Sequence, residues 1–253
     1  MWLLKQRDGA RAASRVPGAI RVGYAVETPY AFVDRAGRVS GADPETARLV
    51  ASRLGWTIEW VQTEFVDLIS DLQDGRFDVI AAGMFVTPQR ERQLRFAAPH
   101  LHVGPGLLVP AGNPKALKGY ADLRSPGVKV AVLAGSVEER RLRTDRPEPL
   151  LSLPDARAGA AAVQTGLVDA LALSLPTVRS MARGLAGLEA VRAADGSPAP
   201  VAAAFRPADT GLLAAWSKAQ AGVVGSEAHL RAIAPFGFEA EDVPARPVTG
   251  QRS

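Results

Sequence analysis

Apolar residues run along this chain in short blocks of two alternating periods, and each change of period marks a predicted element. Ile20 to Ala25 reads as a strand, and Asp34-Arg35-Ala36-Gly37 as a turn between extended pieces at Phe32-Val33 and Arg38-Val39. A helix follows: Asp43 is placed to cap it, Pro44 suits its first position, Ala47, Val50, Ala51 and Leu54 recur at helical spacing, and Gly55 ends it. Thr57 to Thr63 is the next strand, Phe65 to Gln73 an amphipathic helix stopped near Gly75, and Asp78 to Ala82 another strand. Alternation of this kind predicts an α/β sheet.

The alternation restarts at Lys129, with a strand to Leu133, a turn at Ala134-Gly135, and a helix opened by Ser136 with Glu139 at capping-box spacing. The strand Val168 to Leu173 and a helix led by Pro176 continue this second unit. Two Gly-, Pro- and Ala-rich segments, Gly104 to Pro114 and Ala194 to Arg206, are candidate joints, so the second unit is expected to be inserted in the first. Helical content between Asp209 and Ile233, with Leu212, Leu213 and Trp216, completes the first unit. The expected division is residues 18–108 and 201–246 for lobe one and 109–200 for lobe two, with flexible ends at 1–17 and 247–253.

Composition narrows the function classes. The 253 residues are 47% hydrophobic, enough for two packed cores. The charge of +4 is spread along the chain without a dense basic run or aromatic-basic interleaving, which argues against nucleic acid as a partner. With no cysteine there is no disulfide, thiolate metal site or thiol nucleophile. His100-Leu101-His102 lacks the further ligands of a closed zinc site, so no metal or cofactor is expected. His229 falls in a helical pattern and carries no special role. No apolar run reaches membrane-spanning length, and Met1 to Leu4 meets Lys5 and Arg7 before a signal-like segment develops.

The most informative stretch is Asp78 to Arg90, a buried strand running into a helix start. Thr87 can cap the free N–H groups, Pro88 suits the first position, and Arg90 adds a fork-shaped cation. Such a corner is suited to a small carboxylate. Ser136 and Ser174 lie outside any G-x-S-x-G turn and have no evident His and acid partners, so hydrolysis is not expected.

Taken in order, IRVGYAVETPYAF, GADPETARLVASRLG, LISDLQDGRFDVIAAGM, TPQRERQLRFAAP, GVKVAVLAGSVEE, GLVDALALS and PFGF resemble the periplasmic solute-binding proteins of ABC importers for polar amino acids and compatible solutes, over residues 18 to 248. The resemblance implies two α/β lobes with a two-strand hinge closing over a ligand, a monomer in the cell envelope, and an ABC permease as partner. It assigns Arg90 to the ligand carboxylate. Amino-acid binders of this family carry an acid after the second-lobe strand, where this chain has Leu173-Ser174-Leu175, which weighs against an ordinary α-amino acid.

Glu27-Thr28-Pro29-Tyr30, Thr63-Glu64-Phe65 and Gly83 to Arg90 are most similar to the ectoine- and hydroxyectoine-binding subgroup. That likeness implies an aromatic cage of Tyr30, Phe65 and Phe85 around a delocalised cation, Glu27 at the ring N–H groups, and Ser136 and Ser174 as second-lobe hydrogen-bonding groups. The alternatives are a binder of another small carboxylate, a sensor domain, and an enzyme. The enzyme would resemble the periplasmic cyclohexadienyl dehydratases, with Glu27 as its general acid.

Overall fold

The computed structural model describes residues 18–143 and 149–245, so the expected flexible ends lie outside the described residues. Fourteen strands and eight α-helices follow one another in the described residues. The first stretch holds β1 (Ala19–Tyr24), β2 (Phe32–Val33), β3 (Val39–Ser40), α1 (Ala42–Leu54), β4 (Thr57–Gln62), α2 (Leu68–Gln73), β5 (Val79–Ile80), α3 (Pro88–Glu91), β6 (Arg95–Phe96) and β7 (Leu101–Val103). The middle holds β8 (Pro105–Pro110), β9 (Val130–Leu133), α4 (Val137–Arg143), β10 (Leu150–Leu153), α5 (Ala156–Gln164), β11 (Ala170–Ser174), α6 (Leu175–Gly184) and β12 (Leu188–Arg192). The chain then returns through β13 (Ala199–Val201), β14 (Ala204–Phe205), α7 (Thr210–Ala221) and α8 (Glu227–Ile233).

These elements build two sheets on one plan, ordered β4-β1-β5-β14-β6 and β10-β9-β11-β8-β12. In each, four strands run one way and a single reversed strand, β14 in the first sheet and β8 in the second, pairs antiparallel with a neighbour on either side. The first sheet recruits β14 from beyond the second, so lobe two is inserted in lobe one. Two antiparallel strands, β7 and β13, pair from Leu101↔Val201 to Val103↔Ala199 and form the hinge between the lobes. The outgoing boundary expected at 108/109 falls inside β8, which belongs wholly to the second sheet; the chain crosses at Gly104, because β8 supplies the antiparallel neighbour that β11 and β12 share.

Apolar faces explain the layers. Trp216 and Phe205 stack edge-on at 5.8 Å under α7, and the indole N–H is met by Gln220 at 2.9 Å. Val22, Val50, Ala47 and Val79 fill the same core between α1 and the sheet. A second cluster, with Leu107, Val130, Val132 and Leu142, lies in lobe two, and another passes from Leu68 and Leu72 to Leu133 and Leu171, joining the lobes.

One expected cap is corrected. Asp43 does not cap α1; Gly41 stands at the N-cap with φ 125°, where a side-chain carbon would meet the Tyr30 carbonyl oxygen at 2.3 Å. Asp43 is instead buried inside the first turn, accepting from the Gly83 N–H and bonding His100 Nε2 at 2.6 Å. Behind it, His229 Nε2 lies 3.1 Å from the Thr46 hydroxyl, and burial pushes this imidazole down to a pKa of about 4. The histidine before β7 and the one in α8 therefore serve packing around α1.

Asp78 is the ionic tie of the first sheet. Its carboxylate accepts from Arg21 Nη2 at 2.7 Å, Arg21 Nε at 3.1 Å and Arg206 Nη2 at 3.0 Å, joining β1, the start of β5 and the end of β14. Burial alone raises its pKa, yet the Arg21 and Arg206 hydrogen bonds outweigh it and leave the acid below its ordinary value. Removing the carboxylate leaves Arg21 with only the Gly75 and Arg76 carbonyls among the described residues, while Arg206 keeps Asp209 at 2.6 Å, so Asp78→Ala should cost about 3 kcal/mol, chiefly through Arg21. Urea unfolding monitored by circular dichroism should show it, and a loss below about 1 kcal/mol would refute the tie.

Candidate ligand-binding cleft

The carboxyl ends of β1 and β5 face those of β9 and β11 across the hinge, the position where open α/β sheets leave a crevice. Phe65 follows β4, and Phe85 follows β5, held by an isolated bridge to Val201 of the hinge. Gly83 turns the chain between β5 and Phe85 at φ 66°; a side-chain carbon there would sit 2.7 Å from the Tyr30 ring. Thr87 caps α3 by accepting from the Arg90 N–H at 3.2 Å, with Pro88 at the first position. The helix it starts is a single turn, so the anion-favouring dipole expected there is short, and the guanidinium carries the chemistry.

A small central cavity of about 10 Å³, room for about one water molecule, lies between the lobes, walled by Glu27, Phe65, Phe85, Ser136, Glu138 and Ser174 among others. Two larger spaces flank it. One, of about 270 Å³, opens at the mouth beside Val26, Gln62, Glu64 and Arg157. The other, of about 360 Å³, lies toward the hinge beside Thr87, Val103, Tyr120, Glu138 and Arg141.

Five of the seven expected site residues, Glu27, Phe65, Phe85, Ser136 and Ser174, thus line one cavity. The other two stand just behind its wall and bond across the cleft. Tyr30 is buried against Phe238, its ring 5.6 Å away, and its hydroxyl donates to Ser174 Oγ at 3.0 Å. Arg90 lies with its guanidinium carbon 5.7 Å from the Phe65 ring centre, donating through Nη1 to the Phe85 carbonyl at 2.9 Å and through Nη2 to the Gly135 carbonyl of lobe two at 3.1 Å. Burial, with Arg140 nearby, lowers its pKa to about 10, still well above neutrality.

The Tyr30 to Ser174 bond belongs to a longer chain of hydroxyls. Ser174 Oγ lies 2.9 Å from Thr177 Oγ1, which donates to Glu27 Oε1 at 3.0 Å, so the path leaves lobe one at Tyr30 and returns at Glu27. Ser174 makes no cap for α6 because its hydroxyl is used in this chain. Ser136 does cap α4, accepting from the Glu139 N–H at 3.0 Å, while Glu139 reaches back to the Gly135 N–H at 2.8 Å.

Sequence reasoning missed Thr177 and Glu138. Thr177 stands three residues after Ser174, one helical turn on, a spacing that could have marked the pair. Glu138 was hidden in a Glu-Glu doublet whose second member makes the cap. Burial is the main cause raising the Glu27 pKa to about 7, followed by the charge of Glu138 across the cleft. Glu138 is raised as well, chiefly by burial. Among the described residues no three His, Asp or Glu side chains are grouped to hold a metal, and no helix is long and apolar enough to cross a membrane.

The fold has counterparts in known proteins. Residues 20–228 match the family model of bacterial extracellular solute-binding proteins, family 3. A probable amino-acid ABC transporter periplasmic-binding protein of Sinorhizobium fredii is 33% identical over 190 residues, 72% of this chain and 63% of that protein. The cyclohexadienyl dehydratase of Pseudomonas aeruginosa is 26% identical over 117 residues, 46% of this chain and 44% of the enzyme. The chain thus spans less than two thirds of the length of these curated relatives. Among solved structures, EhuB in complex with hydroxyectoine superposes with a TM-score of 0.82 at 28% identity, over 88% of this chain and 90% of that one. An ancestral arginine-binding protein bound to arginine gives 0.80 at 26%, over 87% and 99%. The chain belongs to the bacterial extracellular solute-binding proteins of family 3.

Proposed function

We propose that this protein is the ligand-capturing component of an ABC importer of the cell envelope, closing its lobes on a small zwitterionic carboxylate that it hands to the permease. A delocalised ring cation of the ectoine or hydroxyectoine kind suits the cleft best. The observation that carries this reading is the set of side chains gathered at the centre of the cleft, where Phe65, Phe85 and Glu27 line one small cavity and the Arg90 guanidinium carbon lies 5.7 Å from the Phe65 ring centre; the lobes part to admit a ligand among them. Aromatic faces attract a diffuse cation by about 0.5 to 2 kcal/mol each. Arg90 holds five N–H donors and gives two contacts to carbonyls, leaving donors for a carboxylate, a stronger acceptor than the Gly135 carbonyl it now meets.

The likeness to the hydroxyectoine-bound EhuB structure supports the same ligand class. A cationic amino acid is the second reading, supported by the arginine-bound ancestral structure and by the presence of Glu138 in the cavity. A dehydratase on this fold would need an acid that holds its proton near neutrality, and Glu27, at about 7, has that property. Prephenate therefore belongs among the ligands tried.

Glu27 also couples ligand-free stability to pH. Its folded pKa lies above the ordinary 4.5, so the folded protein binds this proton more tightly than the unfolded chain. Its contribution is complete below about pH 4.5 and is lost as pH rises through about 7. Glu27→Gln should flatten the decline in thermal unfolding temperature between those values; an unchanged slope would place the cause elsewhere.

Ligand class is tested by thermal unfolding with ectoine, hydroxyectoine, glycine betaine, arginine, glutamate and prephenate, since a ligand at about 1,000 times its Kd adds about 4 kcal/mol. A large shift with the ectoines and none with glutamate is expected. By titration calorimetry Arg90→Ala should lose at least about 2 kcal/mol of binding and Phe85→Ala about 1 to 3. Unchanged affinity in Arg90→Ala would remove that residue from the site.

A further inference from the structure

Glu138 is a carboxylate with no evident structural task. It lies in the first turn of α4 and is 5% exposed, yet the start of that helix is already capped by Ser136 and Glu139. Its own backbone N–H and the Ser136 hydroxyl approach the carboxylate, and Arg141 stands on the hinge side, engaged with the Tyr120 ring at 4.4 Å and the Asp195 carbonyl at 2.9 Å. Arg140 lines the hinge-side space and not the central cavity, whereas Glu138 and Phe85 form the wall between the two and line both. Toward the centre, Glu138 shares its cavity with Glu27, Phe65, Phe85, Ser136 and Ser174, and the cation nearest both acids from lobe one is Arg90, behind the wall. The polar lining of that cavity is two carboxylates from opposite lobes and two serine hydroxyls, set beside two phenylalanines.

Two buried carboxylates facing each other repel, and each demands a donor. A cation carrying N–H groups satisfies both at once, one to each lobe. A quaternary ammonium sheathed in methyl groups gives neither acid a donor beyond those the protein already supplies, Thr177 to Glu27 and the Ser136 hydroxyl to Glu138, and that deficit rejects it.

Resting on the capture function proposed above, we infer that Glu138 is a specificity-determining ligand contact of lobe two. It brackets the ligand cation with Glu27 of lobe one, so the cleft selects carboxylates bearing an amidinium, guanidinium or primary ammonium over quaternary ammonium compounds. The same pair makes the cation a bridge between the lobes, so closure and selection depend on one group.

Titration calorimetry of the wild type and Glu138→Gln with ectoine, arginine and glycine betaine tests this. The wild type should bind ectoine or arginine and not glycine betaine. Glu138→Gln should bind the same ligand about 10- to 100-fold more weakly, with no fall in the unfolding temperature of the free protein. Affinity within twofold of wild type in the variant, or wild-type binding of glycine betaine equal to ectoine, overturns the role of Glu138 while leaving the capture function standing. Wild-type protein that binds none of the three overturns the capture function and this contact with it.

Should Glu138→Gln not fold, Glu27→Gln decides. With Glu138, held above its ordinary value by burial, as the remaining carboxylate of the pair, it should release protons on titration with ectoine or arginine on the acid side of neutrality, read over a series of pH values as unequal heats in two buffers of different ionisation enthalpy. Equal heats overturn the contact.

Discussion

Polar groups carried into a dry seam must be met by the opposite wall or by a guest, and this requirement organises the cleft. Tyr30, Ser174, Thr177 and Glu27 meet it by passing one hydrogen-bonded path from lobe to lobe and back. Arg90 meets it with a carbonyl from each side. Groups suited to a ligand thus double as the bonds that hold the lobes together, so the closed arrangement is not sealed by apolar contact alone. A guest must offer better partners than the opposite lobe does, which sets a floor on affinity and rewards ligands with both a strong acceptor and a strong donor.

Much of this architecture was legible in the chain because it rests on local rules. The period changes, Gly55 at the end of α1, and Thr87-Pro88 at the start of α3 act within a few residues and are found where those rules place them. The insertion of one lobe in the other was readable from the restart of the pattern at Lys129 and from the composition of the joints. What escaped is what depends on distant partners. Asp43 had every local credential of a helix cap, but Gly83 and His100, 40 and 57 residues away, claim its carboxylate, and Gly41 takes the cap position. The crossing at Gly104 was misjudged by a few residues because β8 is apolar enough to belong to either sheet, and only its pairing with β11 and β12 decides.

The cleft divides the same way. The aromatic residues and Arg90 were marked by local motifs, whereas Glu138 and Thr177 acquire significance only from the neighbours that folding brings to them. A doublet such as Glu138-Glu139 looks like a solvated pair on a helix start. In the folded chain one member is a cap and the other an internal charge, and the difference lies in which way one turn of helix faces.

The hinge described above has a mechanical consequence. Two short strands running side by side about 4.8 Å apart, paired over Leu101–Val103 and Ala199–Val201, behave as a double flexure. A single tether would let one lobe swivel freely about it, but a pair joined by ladder bonds resists torsion about its own length and yields mainly by bending. Motion of the whole molecule then collapses onto one angular coordinate, and the geometry of capture is carried by the stiffness of six residues rather than by the size of the bodies they connect.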